Sequence, residues 1–158
     1  MCIRAKARIG MKITEILLAE HAVLHNLFDH VEKSAPRLKT LAEVKASAAT
    51  LKSLLAAHSK TEDDLLIAPL EHCFAQIGQS ETFHDEHDEI DRELLAVQKA
   101  KSLKAGKVLL LAAIAASRNH VDKEERIVFP MAERVLKAKT LSALGDEWVK
   151  RREAALAD

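Results

Sequence analysis

The sequence predicts an all-α fold, an up-down-up-down four-helix bundle followed by a short C-terminal fifth helix. Three observations lead there. Ala, Leu, Lys and Glu dominate while Gly and Pro are scarce, and β-branched and aromatic residues are too sparse to support a sheet of any size. Apolar residues recur at the helical period along most of the chain. The chain also repeats itself, one pair of helical segments echoing the next. At 158 residues it has the length of one domain, enough to bury about two-thirds of its unfolded surface.

The elements follow in order. Residues 1–11 carry Arg4, Lys6 and Arg8 but no apolar stretch of the secretory kind, and are expected to form a disordered leader, with the domain spanning 12–158. Ile13, Ile16, Leu17, Val23, Leu24, Leu27, Phe28 and Val31 mark a first helix over about 13–33, closed by Pro36. A second opens at the capping box Thr40 with Glu43, runs through Leu51, Leu54, Leu55, Leu65, Leu66 and Ile67, and ends at Gly78. Ser80 is placed to cap a third, which continues to about Lys101. The fourth runs from Leu103 to Lys137, and a fifth over about 140–156 carries the only tryptophan, Trp148. Pro69 and Pro130 interrupt long helical patterns, so a kink or frayed turn is expected near each.

The repeat locates the chemistry. Glu20-His21 is echoed by Glu86-His87, and His58 with Glu62 by His120 with Glu124. Spacing of four puts an imidazole and a carboxylate on one helix face. In a bundle these faces turn inward, gathering His21, His58, Glu62, His87, His120 and Glu124 from four helices. A single histidine is more often a hydrogen-bonded or half-exposed residue than a ligand. Two copies of the same spacing, in register with a twice-repeated Glu-His, favour a metal centre, and a divalent cation offsets the cost of burying two carboxylates. His84, three before His87, shares nearly the same face and is a further candidate. His25 lies opposite Asp91 in the repeat and reads as packing or support. Asp63 and Glu125, a quarter turn past the glutamates, are expected to face solvent. Structural zinc favours four ligands, often sulfur, whereas this set is imidazole and carboxylate with enough donors for two ions, which suits iron or manganese.

These residues resemble the HHE cation-binding branch of the hemerythrin family: a histidine, His-x-x-x-Glu, a histidine, His-x-x-x-Glu, with the run Glu-Glu-Arg-Ile-Val-Phe-Pro at 124–130. The resemblance implies two iron ions in a non-haem centre, oxo- or hydroxo-bridged, with Glu62 and Glu124 as bridging carboxylates and an open position for dioxygen or hydrogen peroxide. Oxygen-carrying hemerythrins show His-x-x-x-His on the third helix and His-x-x-x-x-Asp on the fourth. Here His84 precedes His87 by three, and His120 is followed by Glu124, which weighs against reversible oxygen carriage. Ferritin-like bundles need two Glu-x-x-His motifs, and Glu81 with His84 is the only one present.

Balanced charge and the absence of a basic face exclude a nucleic-acid footprint. The longest apolar run, Val108 to Ala116, is far short of the ~20 residues that cross a bilayer. Cys2 and Cys73 make no disulfide framework, so the expected address is cytoplasmic. Without tyrosine no mechanism can use a tyrosinate. The leading expectation is a di-iron protein that binds, stores or senses dioxygen. The alternative is a catalase-like enzyme that breaks down hydrogen peroxide, and a module with purely structural histidines ranks last.

Overall fold

A computed structural model describes residues 10–76 and 82–155, without the side chains of 82–84 and 155. Among the described residues there is no strand. The helices are α1 (Ile13–Ser34), α2 (Leu41–Glu62), α3 (Ala68–Gln76), α4 (Thr82–Lys99), α5 (Leu103–Lys123), α6 (Phe129–Val135) and α7 (Ala138–Ala155). The expected leader lies outside the described residues except for Gly10 and Met11, and these two pack on α7: Ser142 Oγ donates to the Gly10 carbonyl at 3.2 Å. A Cβ on Gly145 would sit 2.0 Å from the Met11 carbonyl oxygen, so only glycine admits the incoming chain there. Gly78 and Ser80 lie outside the described residues.

Local chemistry sets the helix starts. Thr40 caps α2, its hydroxyl accepting from Glu43 N–H at 3.2 Å while the Glu43 carboxylate takes Thr40 N–H at 2.8 Å. Ser102 does the same for α5 through Ala105 N–H. The prolines act differently from expectation. Instead of a frayed end, α2 passes into α3 and α5 into α6 through single π turns, Asp63–Ile67 and Glu124–Val128. Each π turn closes with an i→i+5 bond, Ala68 N–H to Asp63 and Phe129 N–H to Glu124, one residue before the proline. Proline has no N–H to give and its ring crowds the carbonyl four residues back, so the widened turn lets the helix continue. It also explains why Leu65, Leu66 and Ile67 are all buried in succession.

Two apolar clusters fill the interior. One holds Leu24, Phe28, Leu51, Leu55, Ile90, Leu94, Leu110 and Ile114, and the other Ile13, Leu17, Leu66, Leu70, Phe74, Phe129 and Leu141. α1 runs from the second cluster to the first, α2–α3 and α5–α6 run back the other way, and α4 runs into the first, giving the up-down-up-down course. α7 lies along α1. Val23 and Leu54, which fit the helical period, face outward and are 67% and 48% exposed.

Candidate metal centre

Between the two apolar clusters lies a polar layer: His21, His58, Glu62, His120 and Glu124 are buried, and the His87 side chain is only 8% exposed. Their ligand atoms form two groups, His21, His58, Glu62 and Glu124 in one and Glu62, His87, His120 and Glu124 in the other, each within 4.8 Å. Both carboxylates belong to both groups. Two neighbouring ions sharing Glu62 and Glu124 is the arrangement this geometry can hold.

Every one of the four imidazoles is oriented by a carboxylate on its Nδ1. His21 donates to Glu125 at 3.1 Å, His58 to Glu20 at 2.9 Å, His87 to Asp63 at 3.3 Å and His120 to Glu86 at 2.7 Å. The pattern is pseudo-twofold: the acid before the histidine of α1 or α4 serves α2 or α5, and the acid after the glutamate of α2 or α5 serves α4 or α1. With Nδ1 engaged, each Nε2 points into the layer as a lone-pair donor. Asp63 and Glu125, expected to face solvent, are instead half-buried, each with its carboxylate turned onto a histidine. A quarter turn past Glu62 or Glu124 leaves the helix's own inward stripe but meets the histidine of the next helix.

The inward side fits cations. The oxygens of Glu62 and Glu124 are buried and face histidine nitrogens, the nearest being His120 Nε2 at 2.9 Å from Glu124, and two carboxylates packed this way are costly unless protons or cations sit between them. His21 and His58 bring Nε2 to Nε2 at 3.0 Å. Two nitrogens about 2.1 Å from one ion and at right angles lie about 3 Å apart. Without metal, burial and the neighbouring Glu124 charge push Glu62 well above the usual carboxylate range. Burial also opposes ionisation of Glu124, but hydrogen bonds and charge from His120 and His87 more than offset it and hold that carboxyl low. His87 rises to about 9 because Asp63 and Glu124 outweigh its burial, and His120 rises for the same reason through Glu124 and Glu86. His21, desolvated and facing His58, falls to about 3.

Of the seven sequence candidates, six meet in this layer. The His84 side chain lies outside the described residues. His25 stands apart from both groups, its Nε2 3.6 Å from Asp122 and Glu125 and its ring edge-on to Phe28. The supporting acids Glu20, Glu86, Asp63 and Glu125 were missed as a set, although the doubled Glu-His pair and the acids after each glutamate were visible in the repeat. A cleft of about 280 Å³ between α2 and α4, lined by apolar Leu55, Ile90 and Leu94 as well as by Ser59, Lys60, Asp63 and Asp88, borders His87.

An all-helical bundle with a buried layer of imidazoles and carboxylates from four helices defines a metal-binding helical protein. The model of the hemerythrin HHE cation binding domain matches residues 12–132, and the chain belongs to that family. No curated protein and no solved structure matches it. Among the described residues no helix is long and apolar enough to cross a membrane.

Proposed function

We propose that the chain holds two iron ions between α1, α2, α4 and α5 and uses them to interact with dioxygen, as an oxygen-binding, storing or sensing protein. The observation that carries this reading is the twofold donor set: two imidazoles for each position and two carboxylates shared by both. Mixed imidazole and carboxylate ligation without thiolate suits iron, and carboxylates shared between facing helices suit ions roughly 3.5–4 Å apart. A pair of ferrous ions supplies two electrons at one place. The protein's own contribution is to fix the donors and to limit access. Glu20, Glu86, Asp63 and Glu125 hold the four rings in one tautomer, and Leu24, Phe28, Leu55 and Ile114 wall the layer on one side.

The cleft at His87, more polar than the one at His58, favours a second reading, breakdown of hydrogen peroxide, because Ser59, Lys60, Asp63 and Asp88 give a small polar reactant an approach to one half of the layer. Metal analysis of the purified protein, with optical spectra before and after dioxygen and then peroxide, tests both. Two irons per chain and a spectral change with dioxygen support the first reading. Sustained oxygen evolution from peroxide supports the second, and a single tightly held zinc overturns both.

A further inference from the structure

The pseudo-twofold order of the centre is broken at one point, and α7 repairs it. On the His120 side, Glu86 accepts from His120 Nδ1 with one oxygen and pairs with Lys123 through the other. Lys123 sits on α5, three residues past His120. Its counterpart in the repeat is Thr61, three past His58, and the Thr61 hydroxyl bonds back to the Ala57 carbonyl at 2.9 Å. α2 therefore places no cation where α5 places one. Glu20, the counterpart of Glu86, is nevertheless held in the same two-sided way. One oxygen accepts from His58 Nδ1 at 2.9 Å, and the other accepts from Arg152 Nη2 at 2.7 Å. Arg152 comes from α7, 132 residues along the chain from Glu20. Its guanidinium lies over the Trp148 ring at 5.2 Å, one helical turn back.

We propose that Arg152 is a positioning residue for the His58 half of the centre, acting through Glu20, and that α7 is thereby a working part of the site. The inference rests on the reading of His21, His58, Glu62 and Glu124 as one ion's donors. α7 lies beyond the residues matched by the family model, so this connection is a property of the chain's own C-terminal helix. The physics is direct. A carboxylate held at both oxygens has one orientation and so fixes the ring that donates to it. The guanidinium also draws charge from Glu20, which moderates how strongly the carboxylate polarises the His58 ring. A Glu20 released by Arg152 would rotate and leave His58 less well aimed; removing a ligand's direct partner costs roughly 10–100-fold in metal affinity, and loosening that partner is expected to cost less.

The test is titration of the full chain with cobalt(II), read by its visible absorption, on wild type, Arg152→Gln, Arg152→Lys, Lys123→Gln and Arg151→Gln. Arg151 pairs with Asp64 on the surface and serves as the neighbouring control. Backbone amide hydrogen exchange in α7 reports whether the helix stays docked. The expected result is two binding steps in wild type, with one weakened roughly several-fold by Arg152→Gln, largely restored in Arg152→Lys, and the other weakened by Lys123→Gln, while α7 exchange and Arg151→Gln stay as wild type. Affinities for Arg152→Gln equal to those of Arg151→Gln overturn the proposal. So does a loss accompanied by faster exchange throughout α7 in the metal-free variant, which assigns the effect to undocking of α7. Failure of wild type to bind cobalt or iron overturns the underlying metal reading instead.

Discussion

His21 and His58 face one another through their Nε2 atoms at 3.0 Å, each with its Nδ1 tied to a carboxylate, Glu125 and Glu20. Two imidazoles so anchored turn lone pair toward lone pair. The contact is repulsive unless a proton or a cation lies between them, and His21 is pushed so far down in pKa, to about 3, that a proton is poorly held on that ring. Metal relieves the contact.

Metal content ranks the side chains. Glu62 and Glu124 serve both groups of donors, whereas His25 serves neither. Glu62→Ala or Glu124→Ala is expected to lose most bound metal, and His25→Ala to retain about the wild-type amount. Equal metal content across the three variants, measured by elemental analysis, would refute the ranking.

In the metal-free protein the two glutamates separate by charge state. Burial and the Glu124 charge raise Glu62 well above the usual carboxylate range, whereas His120 and His87 hold Glu124 low despite its burial. Glu62→Gln mimics the protonated form that this shift favours and is expected to change metal-free stability less than Glu124→Gln. Glu124→Gln removes the carboxylate that raises His87 and His120 and is expected to cost roughly 3 kcal/mol. Denaturant unfolding of the two metal-free variants decides it, and equal losses would count against this assignment of charge.

Metal uptake has to expel protons. Glu62, His120 and His87, the last with a pKa of about 9, all lie above their ordinary values in the metal-free protein. They bind metal only when deprotonated. Raising the pH removes that competition, so affinity is expected to increase from pH 6 towards pH 9, with net proton release at neutral pH in a weakly buffered titration. His21, already neutral there, adds nothing to the release. A pH-independent affinity across that range would contradict the prediction.

The helices and the six inward side chains were legible in the sequence because both rest on local periodicity, and four-residue spacing fixes a face whatever the tertiary context. What escaped the reading depends on neighbouring helices. Asp63 and Glu125 are angled away from their own helix's donor stripe and become meaningful only when α4 and α1 are placed beside them. Val23 and Leu54 fit the helical period, yet no helix covers them, and they border a shallow cleft beside Arg152. The prolines were seen but their effect was not, since a π turn and a kink answer the same missing N–H and packing decides between them. Arg152 lies 132 residues along the chain from its partner Glu20, beyond the reach of any motif.

The last prediction concerns reversibility. The two halves of the polar layer differ in their surroundings: the cleft of about 310 Å³ at His58 is lined mainly by Val23, Leu24, Leu27 and Leu54, whereas that of about 280 Å³ at His87 also carries Ser59, Lys60, Asp63 and Asp88. The more polar of the two clefts, on the His87 side, is the expected approach for water and peroxide. A centre open to water on one side favours net oxidation over clean release of dioxygen. The iron-loaded, reduced protein is therefore expected to react with dioxygen and then fail to return to its starting spectrum when oxygen is withdrawn. Ser59→Leu, which adds apolar bulk at the cleft wall without touching a donor, is expected to slow that oxidation several-fold. Repeated oxygenation and deoxygenation under an optical probe checks both. Full recovery of the reduced spectrum over many cycles would mean that the protein carries oxygen reversibly and that the cleft is irrelevant to its chemistry, and an unchanged oxidation rate in Ser59→Leu would show that the oxidant enters by another route.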